Sequence, residues 1–114
     1  MATVTVVDNV VSVRLSPMEK LAGLLRDLAV PTSQVRRARA VADGLPEVVG
    51  MRAPGLHLPG TRKYGTWRRR SGRTYAAVRG SGPALLLELD GHRYDSVVVT
   101  TPDAERLAQR IAGS

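Results

Sequence analysis

Eight Lys or Arg side chains and no Asp or Glu fall between Met51 and Gly80: Arg52, Arg62, Lys63, Arg68, Arg69, Arg70, Arg73 and Arg79. The flanks are near balance, with six basic residues against five acidic before Met51 and three against five after Gly80, so the net charge of +7 is concentrated in this stretch. Guanidinium groups present a planar fork of donors that engages phosphate or carboxylate bidentately. Trp67 and Tyr64 add ring faces that can insert, stack or pack. An ordinary solvated surface mixes both signs of charge, and a stretch of this length without an acid does not. Arg62, Lys63, Trp67, Arg68, Arg69, Arg70 and Arg73 are therefore the candidate contacts to an anionic partner, with a place in the core as the equal alternative for Trp67.

Other chemistry is thinly represented. There is no Cys, which removes disulfides, thiolate metal sites and cysteine nucleophiles together and fits a reducing compartment. His57 lies between Leu56 and Leu58 and reads as a packed or solvated histidine. Asp90, His92 and Asp95 gather near a turn, but Asp90-Gly91 is what a hairpin requires there. Gly60 to Gly65 matches neither G-x-G-x-x-G nor G-x-x-x-x-G-K-[ST]. A catalytic site needs convergent acid, base or nucleophilic groups, so no enzyme, no cofactor and no metal is expected. An enzyme would require His57, His92 and an acid to meet in one pocket.

The elements that must position these residues follow from spacing. Thr3 to Val7 and Val10 to Leu15 read as a hairpin around Asp8-Asn9. Ser16-Pro17-Met18-Glu19 is a helix start with a capping box, and Leu21, Leu24, Leu25 and Leu28 predict one buried stripe on a helix that Val30-Pro31 ends. Gln34 to Ala42 reads as a strand, with Val35, Arg37, Arg39 and Val41 on one face. Pro46, Pro54 and Pro59 with Gly50, Gly55 and Gly60 predict a loop of about 15 residues, a length that tends to be functional or disordered. Tyr64 to Arg70 and Arg73 to Arg79 form a basic hairpin around Ser71-Gly72, with Lys63, Gly65, Trp67 and Arg69 on one face. Ala84 to Leu89 and Tyr94 to Thr100 form a second hairpin, apolar enough to be the core. Thr101-Pro102-Asp103 opens a last helix that buries Ala104, Leu107, Ala108 and Ile111 and ends at Gly113. The sum is about six or seven short strands, one helix inserted after the second and one capping helix at the end. That order predicts a β-rich α+β fold, a barrel or sandwich closed by a helix.

With 114 residues the chain is expected to be one domain spanning 1–114. Met1 to Leu15 lacks a basic n-region and is not expected to be a signal peptide. No apolar run approaches the roughly 20 residues that span a bilayer, so no integral membrane segment is expected.

Several turns and caps resemble the pleckstrin-homology-like domains found as small proteins in actinobacteria. They are Ser16-Pro17-Met18-Glu19-Lys20-Leu21, Leu28-Ala29-Val30-Pro31 before Val35, Gly50-Met51-Arg52-Ala53-Pro54-Gly55, Pro59-Gly60, and Tyr94-Asp95 running into Val97-Val98-Val99 and Thr101-Pro102-Asp103. The resemblance extends from about Val10 to Ile111. It implies a strongly bent, seven-stranded barrel or sandwich with one end plugged by the C-terminal helix, and it brings no catalytic residues. Eukaryotic relatives of that fold bind inositol lipids through a basic loop between early strands. The corresponding turn here is Asp8-Asn9, which is not basic. The expected function is a non-catalytic cytoplasmic binding module, with a peripheral place at the inner face of the membrane among its expected settings. Its basic hairpin would contact an anionic protein surface or a phospholipid. A self-assembling scaffold, including a homo-oligomer, is the alternative, and nucleic acid ranks third because no basic recognition helix is present.

Overall fold

The computed structural model describes residues 2–23, 25–48, 51–58, 62–69, 72–80 and 82–113, with backbone alone at 22, 51–58, 62 and 69. Among these residues nine strands and two α-helices follow one another: β1 (Thr3–Val7), β2 (Val10–Arg14), α1 (Pro17–Gly23), β3 (Leu28–Pro31), β4 (Val35–Val41), β5 (Met51–Leu58), β6 (Arg62–Arg69), β7 (Gly72–Arg79), β8 (Ala84–Leu89), β9 (Ser96–Thr100) and α2 (Ala104–Ala112). They make a strand-rich α+β fold of two sheets, β1-β2-β3 and β4-β8-β9-β7-β6-β5. The expected barrel does not close, because β4 and β5 stand at opposite edges of the larger sheet. Strand pairs are antiparallel except β7 with β9.

Local chemistry accounts for most of the element boundaries. Asp8 and Asn9 take φ of 53° and 62° between the paired Val7 and Val10, the left-handed pair that a two-residue hairpin turn requires. Both halves of the capping box form: the Ser16 N–H donates to Glu19 Oε1 at 2.9 Å, and the Glu19 N–H donates to Ser16 Oγ at 3.3 Å. In α2, Thr101 Oγ1 accepts the Asp103 N–H at 3.3 Å and Ala104, Leu107, Ala108 and Ile111 are buried.

Three expectations are corrected. Helix α1 stops at Gly23, and Leu28 to Pro31 instead becomes β3 against β2. An open β2 edge would leave a row of unpaired N–H and C=O groups, and Pro31 is tolerated at the end of the outermost strand. Leu21, expected on the buried stripe, is 77% exposed, while Leu24 lies outside the described residues. The Gly50 to Gly60 loop is largely replaced by β5, an edge strand whose pairing slips between Arg52 and Gly55, where Pro54 sits; an edge strand accepts Pro because its missing N–H need not belong to the ladder. Gly50, Pro59 and Gly60 lie outside the described residues.

The larger sheet is covered on both faces. On one face Tyr64, Tyr75, Leu85, Leu87, Val97 and Val99 pack with the β1-β2-β3 sheet, Leu25 and α2. On the other, Trp67, Ala76, Val78, Leu86 and Val98 pack under Leu45 and Val48, the first residue of a 3-10 turn, Leu45–Glu47, and the residue that follows it. Double-sided coverage is why β8 and β9 read as near-continuous apolar runs.

Candidate anion-binding site

The β6-β7 register places Arg68 directly opposite Arg73, and Arg62 opposite Arg79. Directly opposed residues of an antiparallel pair share a face, with Cβ atoms about 4.5–5.5 Å apart. Arg68 and Arg73 are both exposed, and among the described residues neither enters an ion pair. The β4 arginines are treated differently. Arg36 and Arg37 reach Glu88 at 3.6 and 3.5 Å, and Arg39 reaches Glu47 at 3.5 Å.

Asp95 is the acid beside the hairpin, and it is committed to the backbone. Its Oδ2 accepts the Arg73 N–H at 2.8 Å, and its own N–H donates to the Arg73 carbonyl at 2.8 Å. Gly72 makes this clamp possible: its φ is +135°, and a Cβ there would run into the Asp95 carboxylate. The chain entering β9 therefore fixes the start of β7, and with it the base of Arg73.

The other predicted contacts divide. Lys63 faces away from Arg68, and its Nζ donates to the Leu45 carbonyl at 2.9 Å and the Val48 carbonyl at 2.7 Å. Trp67 is 3% exposed in the core beneath the same turn. Lys63 has a structural role, since its cation is consumed by carbonyls, and for Trp67 the structure takes the core alternative. The side chains of Arg62 and Arg69, and the whole of Arg70, lie outside the described residues.

Sequence reasoning missed a groove of about 400 Å³ lined in part by Arg36, Arg39, Glu47, Arg73, Glu88 and Asp95. Its residues come from five separate segments, so no local spacing announces it. Its floor includes a Thr74-Ser96 hydroxyl pair, 2.7 Å apart across the parallel strands. Signs are balanced there, which suits it less to a simple anion than the Arg68-Arg73 pair.

The histidines do not converge. His57 is in register with Lys63, itself opposite Val78, whereas His92 lies in the β8-β9 connection beyond the other end of those strands. The Tyr94 N–H donates to His92 Nδ1 at 3.1 Å. Beside them a cavity of about 200 Å³ is lined by Asp27, Tyr75, His92 and Tyr94 among others. Tyr75 donates its hydroxyl to the Arg26 carbonyl at 2.7 Å and meets Tyr94 edge-on at 5.3 Å. Burial pushes the Tyr75 phenol well up, helped by Tyr94, Asp27 and Glu19, so it stays a neutral donor. Asp27 is held below its ordinary 3.8 chiefly by the Leu15 N–H, with Lys20 adding to the effect. Among the described residues no group of three or more His, Cys, Asp or Glu side chains is placed to hold a metal.

No protein family matches the chain, and neither a curated protein nor a solved structure matches it. No helix among the described residues is long and apolar enough to cross a membrane.

Proposed function

We propose that the chain is a non-catalytic binding module of pleckstrin-homology-like fold that grips an anionic partner with Arg68 and Arg73. The observation that carries this reading is their direct opposition on an exposed face, with neither in an ion pair among the described residues. Like charges placed opposite one another in a sheet destabilise it, and an anion seated between two guanidinium forks converts that cost into charge-assisted hydrogen bonds. Arg62 and Arg69 stand on the same strand as Arg68, and Arg70 lies outside the described residues. The fold component is supported by the α-helix after β2 and by the C-terminal helix packed on the sheets. Nine strands, a parallel β7-β9 pair and open sheet edges depart from it. Work at the inner face of a membrane, as a peripheral cytoplasmic protein, belongs to the same proposal.

The test is retention of the R68S/R73S variant on two anionic probes, immobilised polyglutamate and vesicles rich in phosphatidylglycerol, across a salt series. Binding by the parent chain that fades with salt and falls about tenfold or more in the variant is expected. Equal retention of both chains would show that the basic face only solubilises, as in a self-assembling scaffold.

A further inference from the structure

Helix α1 exposes an apolar surface that its fold does not use. Pro17, Met18 and Leu21 are its exposed positions among those whose side chains are described. Met18 is 75% and Leu21 77% exposed, the two largest exposures among the large hydrophobic residues described. Residues three apart lie on the same side of a helix, so the two form one patch. The charged residues of α1 are directed elsewhere: Glu19 is buried in the capping box, and Lys20 pairs with Asp27 at 3.4 Å. A solvated helix face would carry charge where this one carries Met and Leu.

The helix that carries the patch rests on the strand that carries Arg68. A Cβ added to Gly23, at the end of α1, would lie 3.0 Å from the Gly65 nitrogen of β6, so the helix rests directly on that strand. Gly65 is about 10 Å along the strand from Arg68. Leu25 and Tyr64 share one core cluster with Tyr75, and strand alternation puts Arg68 and Arg73 on that same side of the sheet. Arg14, just before α1, and Arg26, just after it, are also exposed. An exposed apolar pair on a helix flanked by exposed Arg14 and Arg26 and seated on the strand of Arg68 fits a segment lying in an anionic membrane interface, where insertion and charge attraction reinforce each other. The same arginines disfavour a second copy of this chain as occupant, because it would set arginine against arginine.

We propose that α1 is a membrane-interface wedge, with Met18 and Leu21 entering the acyl boundary of an anionic leaflet while Arg68 and Arg73 engage its phosphates. This rests on the anion-binding reading of Arg68 and Arg73, and it names the partner.

The experiment compares the parent chain, M18Q/L21Q and R68S/R73S in co-sedimentation with phosphatidylcholine vesicles, vesicles containing phosphatidylglycerol, and immobilised polyglutamate. Glutamine keeps the helix propensity, and circular dichroism checks the fold. M18Q/L21Q is expected to lose about tenfold or more of its partition into anionic vesicles while holding polyglutamate as the parent does. In a second variant, L21W, an emission shift to shorter wavelength on adding anionic vesicles is expected over the constant signal of buried Trp67. Undiminished vesicle binding by M18Q/L21Q overturns the wedge and leaves the arginine site standing. Retention on polyglutamate with no vesicle binding by the parent also overturns it and points to an acidic protein. Parent-like binding of R68S/R73S to both anionic probes removes the underlying reading instead.

Discussion

Lys63 and Arg68 lie on one strand, carry the same charge and face opposite ways. The Lys63 ammonium holds the 45–48 turn by two carbonyls, whereas the Arg68 guanidinium is exposed opposite Arg73. Alternation along β6 separates Lys63 and Trp67 from Arg68, and that much is legible in the sequence. What is not legible is that a segment some fifteen residues earlier covers the Lys63 side, because the contact depends on folding rather than spacing. K63M should lose about 1–3 kcal/mol of stability in urea denaturation, since two carbonyls beneath the turn lose their donor, while anionic-vesicle binding stays unchanged. The opposite pattern would place Lys63 in the ligand site. Asp27 gives a pH signature. Its carboxyl is below 3.8 in the folded state because the Leu15 N–H, and then Lys20, favour the charged form. A depressed pKa stabilises the fold above the unfolded value, and the contribution disappears as pH falls from about 3.8 through the folded pKa. Urea midpoints taken down that range should therefore fall less steeply for D27N than for the parent chain.

At the scale of elements, the clearest disagreements between spacing and structure occur at sheet edges. Leu24, Leu25 and Leu28 follow a helical period, yet Leu28 to Pro31 extends because pairing with β2 satisfies backbone groups that a longer helix would leave open. Pro54 and Gly55 read as breakers, yet an edge strand absorbs them in a register slip. Where the determinants are local, spacing was sufficient: the Asp8-Asn9 turn, the capping box and the buried face of α2 all form as expected. The β6-β7 hairpin depends on both kinds of information. Gly72 is a turn residue by sequence, but its contact with Asp95 joins the hairpin to the approach to β9. G72A combines an unfavourable positive φ with a collision against Asp95, so it should cost about 1–3 kcal/mol and weaken anionic-vesicle binding by displacing Arg73. A G72A chain with parent-like urea midpoint and binding would show that the clamp does not position the arginine.

For the whole molecule, the decisive feature is that one sheet carries both apolar clusters. Strand order β4-β8-β9-β7-β6-β5 inserts β8 and β9 between β7 and β4, a strand far earlier in the chain. Apolar patterning identified β8 and β9 as core, but the parallel β7-β9 contact is long-range and left no local mark. Val98 and Val99 show the consequence. They are neighbours at 0% and 1% exposure, and they point into opposite clusters. Loss of either side chain weakens the same strand between β7 and β8, so the clusters should unfold together as one domain of residues 1–114. V98A and V99A should each lower stability by roughly 1–3 kcal/mol and shift a single transition seen alike by far-ultraviolet dichroism and by Trp67 emission, which reports the smaller cluster. If V98A moved the Trp67 transition and left the dichroism transition in place, the turn-covered cluster would be a separate unit, and the sheet would not couple its two faces.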